Sequence, residues 1–165
     1  MYYRFGKVFY FFSVMVFLFA LLYFYAALPE QIGFRLEDQG VLLRDYAKST
    51  FFYGFALVFL ALNLVTVYTP KTLETKTNLK LHRLFPIGDP FRDYILAWFY
   101  SFGGWVNLSL SLAAVFVHAI NNQDIMDASA YNFWYFLMPV VLFIWVGALF
   151  VLLLKKFKST KVVIN

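Results

Sequence analysis

An all-α fold is what this sequence predicts: a four-helix integral membrane bundle with both termini on the cytoplasmic side. Three observations predict it. The chain of 165 residues is 62% hydrophobic and 14% charged, against about 45–50% apolar and about 25% charged in soluble domains. Its apolar residues gather into four runs, 8–27, 51–68, 94–120 and 133–154. Each is close to the roughly 20 helical residues that cross a hydrocarbon core about 30 Å thick. Eleven of the fourteen basic residues stand before the first run, between the second and third, or after the fourth. By the positive-inside rule those segments are cytoplasmic: the N-terminus, the loop 69–93 and the tail 155–165. The loops 28–50 and 121–132 then face outward, and 1–165 is a single transmembrane domain.

The first run starts after Arg4 and Lys7 and resembles a secretory signal. From Val8 it exceeds the 7–15 residues of a signal's apolar region, so an uncleaved helix is expected. Ser13 is its one clearly polar interior residue. An apolar surface all round predicts a helix on the lipid-facing side of the bundle.

The outer loop 28–50 opens at Pro29, carries Gly33 and Gly40, and holds Glu30, Glu37, Asp38 and Asp45 against Arg35, Arg44 and Lys48. A short surface helix over Phe34–Tyr46 is one expectation for it. Mixed charge of this kind is either solvated or a docking surface, with Glu37, Asp38 and Asp45 as candidate contacts.

The second run carries Asn63 near its middle, with Ala56 and Thr66 on the same side. An amide in hydrocarbon needs a hydrogen-bond partner. Asn107 or Ser111 of the third run is the expected one, either as a structural bond or as part of a ligand contact. Pro70 is expected to close this helix. In the following loop Pro86 and Pro90 frame a turn at Ile87-Gly88-Asp89. His82, Arg83, Asp89 and Arg92 gather just before the third helix, where Asp89 suits a helix N-terminus and the group is a second candidate docking surface.

The third run is the one around which the chain is arranged. At 100° per residue Gly104, Asn107, Ser111, Ala114 and His118 share one narrow face, which Ala97 and Tyr100 extend. The helix is therefore expected at the bundle's centre, with that face inward. Gly103 and Gly104 permit close approach of a neighbour. His118, near the outer end, is either a functional group or a side chain bonded to Asn121, Asn122 or Gln123. In the fourth run Pro139 sits near the start, Gly147 and Ala148 offer a close-packing spot, and Lys155 to Lys161 form a basic tail.

The chemistry of several membrane activities is missing from the pattern. No Asp, Glu, Lys or Arg lies within the four runs, as cation coupling requires. Two histidines on opposite sides make no haem pair. There is no phosphate-binding glycine loop or His-Glu-x-x-His, and no cysteine. A non-enzyme without cofactor or metal is expected. The positive charge is assigned to anionic headgroups, worth about 1 kcal/mol per basic residue, and not to nucleic acid.

Leu28-Pro29-Glu30-Gln31-Ile32, followed by Gly40, resembles a motif of bacterial toxin-immunity and signalling membrane proteins that share a domain of unknown function. Their pattern is Leu-Pro-x-x-Ile-Pro, then a His, then a Gly. Here Gly33 replaces the second Pro and Arg35 stands at the His, so no functional residue carries over. The resemblance implies a bacterial cytoplasmic membrane. Three functions are expected from these readings: an accessory subunit of a larger membrane complex, packed against lipids and other subunits; an immunity or sensor protein using the loop 28–50; or a small carrier or lipid-handling protein using the Asn63, Asn107 and Ser111 face.

Overall fold

A computed structural model describes residues 2–34, 46–75, 79–123 and 132–162. Within them the order is α1 (Tyr2–Ala27), β1 (Gln31–Ile32), β2 (Tyr46–Ala47), α2 (Lys48–Glu74), α3 (Leu79–Leu84), α4 (Pro90–Asn121) and α5 (Asn132–Val162). Four of the helices, α1, α2, α4 and α5, are long and apolar enough to cross a membrane. At 1.5 Å per residue even α1 is about 39 Å long, so each helix outruns the apolar run that predicted it.

α4 is the central helix, as its face predicted. It packs against α1, α2 and α5, and 44% of its apolar window is buried, against 22% for α1, 17% for α2 and none for α5. Its start follows from local chemistry. Gly88 adopts φ +91°, the left-handed conformation that a turn ending in Asp89 N–H to Pro86 O (3.1 Å) requires. Asp89 then caps the helix, accepting from the Phe91 N–H at 2.9 Å, with Pro90 in the first turn.

α1 departs from expectation. Its outer side is exposed and apolar, but it is also α4's most extensive partner, burying Gly6, Ser13, Phe17, Ala20 and Leu21 along one side. Gly6 makes this possible, because a Cβ there would lie 3.0 Å from the Ala97 carbonyl oxygen and 3.3 Å from the Ala97 Cα. Small residues that let backbones meet are the usual means of helix association where lipid is as apolar as the side chains. Phe17 stacks on Phe59 of α2 at 4.5 Å between centroids.

α2 does not end at Pro70. It runs to Glu74 with Pro70 inside and buried. The proline leaves one carbonyl of the preceding turn without its helical donor. The carbonyls at the end of the helix are met by other groups: Thr72 Oγ1 donates to Thr69 O (2.7 Å), Thr75 Oγ1 to Lys71 O (2.8 Å) and Arg92 Nη2 to Leu73 O (3.0 Å).

The described ends of the loop 28–50 form a short antiparallel ladder, Gln31 opposite Ala47 and Ile32 opposite Tyr46, where no strand was expected. The suggested surface helix Phe34–Tyr46 falls almost wholly on residues outside the described ones, apart from Phe34 and Tyr46. Asn121, at the end of α4, behaves like a third strand. Its side chain donates to Gly33 O (2.8 Å) and accepts from Gly33 N–H (2.9 Å), with a further bond to Val117 O. Ile32 is thereby held in a core with Phe17, Leu21, Leu28, Phe51, Ala114 and Val117.

α5 packs chiefly against α4. Trp98 Nε1 donates to Trp145 O (2.7 Å), and Trp145 Nε1 to Ser101 Oγ (3.1 Å). Gly147 is not a packing spot: nothing lies within 4 Å of where its Cβ would stand. Lys156 near the end of α5 pairs with Asp89 and Tyr2 at the start of α1 meets Tyr94, so these helix ends lie at the same end of the bundle as the α4 N-terminus.

Candidate functional site

The polar side chains of three helices meet in one closed set. Asn63 on α2 donates to Asn107 Oδ1 on α4 at 2.8 Å, the pairing the sequence predicts, and to Phe59 O of its own helix at 2.8 Å. The Tyr10 hydroxyl of α1 donates to Asn63 Oδ1 at 2.7 Å. Asn107 Nδ2 donates to Ser13 Oγ of α1 at 3.2 Å, and Ser13 Oγ to Tyr10 O at 2.7 Å. Asn107 and Ser13 are fully buried.

Both carboxamides are therefore engaged at donor and acceptor ends by protein atoms. Ser111, expected as an alternative partner for Asn63, instead donates to Asn107 O at 2.9 Å within its own helix. Thr66 does the same toward Leu62 O at 3.0 Å. Each interhelical bond contributes about 0.6–2 kcal/mol in a membrane. The geometry suits a lock that sets the register of three helices.

Gly104 lies on the buried face as predicted, but what approaches it is a ring and not a backbone. A Cβ there would fall 2.5 Å from Phe9 ring atoms. His118 meets the Phe24 ring of α1 at 4.9 Å between centroids. Asn122 Nδ2 lies 3.2 Å from His118 Nδ1 and donates to His118 O at 2.9 Å. The asparagine answers the histidine locally, one of the two readings of this residue.

A second polar set lies where α1 and α4 begin and α2 ends. Lys7 pairs with Glu74 at 2.7 Å, and Glu74 Oε1 also accepts from the Tyr100 hydroxyl at 3.2 Å. The Lys7 ammonium stands 5.2 Å from the centre of the Tyr100 ring and 5.6 Å from that of Tyr3, a cation–π arrangement. Around them is an open pocket of about 570 Å³, lined by Tyr3, Lys7, Glu74, Asp89, Arg92 and Asp93 among others. The Nε of Arg92 is buried and meets no acceptor among the described residues, a condition that ordinarily costs about 1–3 kcal/mol. Lys156 closes the far side by pairing with Asp89 while standing 5.4 Å from the Phe91 ring centre.

Of the candidate docking residues, Asp89 and Arg92 are thus brought together in this pocket, whereas Arg83 is exposed on α3. Glu37, Asp38 and Asp45 lie outside the described residues, as does the side chain of His82. Among the described residues no group of three or more His, Asp or Glu is placed to hold a metal ion.

Sequence reasoning passed over Lys7, Glu74 and Tyr10 as site or contact residues, and considered Asn121 only as a partner for His118. Lys7 stands just before the first apolar run and read as a topology charge, and Glu74 follows the second run by six residues. Opposite charges flanking two runs on the same side were the signal available. No protein-family model, curated protein or solved structure matches the chain. The likeness of Leu28–Ile32 to the immunity and signalling proteins therefore rests on those residues alone.

Proposed function

We propose that the chain is a non-catalytic subunit of a larger membrane assembly, with both termini cytoplasmic in a bacterial cytoplasmic membrane. The observation that carries this reading is the state of α5. No residue of its apolar window Phe133–Lys158 is buried, and it leaves large side chains such as Phe136, Phe143 and Phe150 outward. On either side of it run apolar grooves of about 440 and 560 Å³, reaching Phe102 and Leu142 on one side and Val16 and Phe24 on the other. A helix with this surface, packed chiefly against α4, is suited to packing against further transmembrane helices. The polar face Asn63–Asn107, by contrast, spends its donors and acceptors within the chain, which favours a subunit over a carrier with a polar path. Orientation rests on the distribution of Lys and Arg, and the bacterial membrane on the resemblance at Leu28–Ile32.

Site-specific photocrosslinking tests the docking face. A photoreactive residue at Phe143 or Phe150 is expected to give a discrete adduct with another membrane chain at native expression. The same residue at Tyr53, exposed on α2, is expected to give mainly lipid adducts. Lipid adducts alone at all three positions would count against the reading.

A further inference from the structure

We propose that the outward side of α5 binds a single transmembrane helix of a different protein in a left-handed crossing, and that this helix carries Asp or Glu where it passes the lysine-bearing end of α5. The inference rests on the subunit reading and names the partner of that face. α5 has two sides that repeat every seven residues. Tyr135, Leu142 and Leu149 stand on one, alternating with Met138, Trp145 and Leu152. That side is half-buried and is used within the chain, against Phe116, Trp98 and the core around Leu73. On the opposite side Phe136, Phe143, Phe150 and Phe157 stand seven apart, and all four are exposed. Val140, Gly147 and Leu154 alternate with them at the same interval and are exposed as well. A strict seven-residue repeat keeps one face toward a neighbour when the two helices wind left-handedly, the usual sense in membrane bundles.

The middle of the outward side is a socket. Nothing lies within 4 Å of where a Gly147 Cβ would stand. Residues three and four positions away surround a helical residue, and here they are Phe143, Ile144, Phe150 and Val151, all exposed. A bare Cα walled by four large side chains admits a bulky side chain of a facing helix, the knob-into-hole contact of such crossings. The outward side of α1 also repeats, at Phe5, Phe12 and Phe19, but its one glycine, Gly6, faces α4.

Charge selects the partner. Lys156 stands on the inner side of α5 and pairs with Asp89. Lys158 follows Phe157 on the flank of the outward side, where charges set partner choice in paired helices. It is exposed and in no ion pair among the described residues, and Lys155 is exposed nearby. A second copy would share the orientation of the first and bring the same lysines to the same depth, where like charges oppose pairing. A helix with a carboxylate at that level complements them.

The test is a scan of α5 in the full chain at native expression, with a photoreactive residue at one position at a time and the crosslinked peptide sequenced. Adducts with one transmembrane segment of another protein are expected at Phe136, Phe143, Phe150 and Leu154. Trp134 and Ala148, exposed but off that side, are expected to give lipid adducts. The captured segment is expected to carry Asp or Glu at the level of Lys158. Gly147→Leu fills the socket and is expected to lower the adduct yield at Leu154 about tenfold, while the stability of the chain itself stays unchanged because that side chain meets open space. Lys158→Glu is expected to lower it about threefold. Protein adducts of equal yield at Trp134 and Ala148, or an unchanged yield in Gly147→Leu, overturn the seam and leave the subunit reading standing. A captured segment that belongs to a second copy, or that has no acidic residue at that level, overturns the proposed partner. Lipid adducts alone at every position overturn both the proposal and the subunit reading.

Discussion

Asn107→Leu is expected to weaken the bundle by about 2–4 kcal/mol, from two lost interhelical bonds plus misfit of a branched side chain in a filled site. Asn107 is fully buried and bonded to both α1 and α2. Its loss leaves Asn63 Nδ2 with only its own helix and removes the donor to Ser13. Asn63→Leu is expected to fall in the same range, and the pair to be strongly non-additive because they share a bond. Ser109→Ala, which removes only a bond to Trp105 O within α4, serves as the comparison and is expected within about 0.5 kcal/mol of the parent. Reversible unfolding in mixed micelles measures all four. An Asn107→Leu variant as stable as Ser109→Ala would mean that the polar set is not a lock.

The second large effect is expected at Gly6. In Gly6→Leu the new Cβ stands 3.0 Å from a carbonyl oxygen and 3.3 Å from a Cα of Ala97, and backbone inside a helix has nowhere to go. α1 and α4 must separate along the seam that buries Ser13 and Phe17. Overpacking costs about 1–3 kcal/mol where side chains can yield, and this contact is expected at or above the top of that range. Gly147→Leu is the internal control: its Cβ meets open space, and a change within about 0.5 kcal/mol is expected. Gly104→Ala should fall between them, since the half-buried Phe9 ring can turn aside at the expense of its edge contact with Trp105. Comparable losses at Gly6 and Gly147 would contradict the close seam.

These two positions also show what the sequence can and cannot reveal. The central helix was legible because its polar and small residues recur at helical spacing on one side, and the Asn63–Asn107 bond followed because two amides in apolar runs have few other partners. The seam with α1 was not legible. That helix is apolar on every side, so periodicity carries no sign of which side is buried, and Gly6 lies outside the apolar run altogether. Pro70 misled for a related reason: a proline marks a helix end by local rule, but here Thr75 and Arg92 meet carbonyls beyond it and the helix continues to Glu74. Gly147 misled in the opposite direction, because a small residue permits close packing without supplying a neighbour. The charged pocket was half visible. Asp89 and Arg92 are three residues apart in sequence, but only the tertiary arrangement brings Lys7 and Glu74 to them.

The self-contained polar lock and the unburied α5 lead to one central claim, that this chain completes its structure against other membrane proteins. Extraction at native expression into a detergent-free polymer disc, followed by measurement of the intact mass of the complex and of each chain in it, tests that claim most directly. The account predicts a fixed stoichiometry between the 19.3 kDa chain and at least one different membrane protein, resistant to high salt and lost when Phe143 and Phe150 are both replaced by Lys. Recovery of this chain alone, or of multiples of its own mass only, would contradict it.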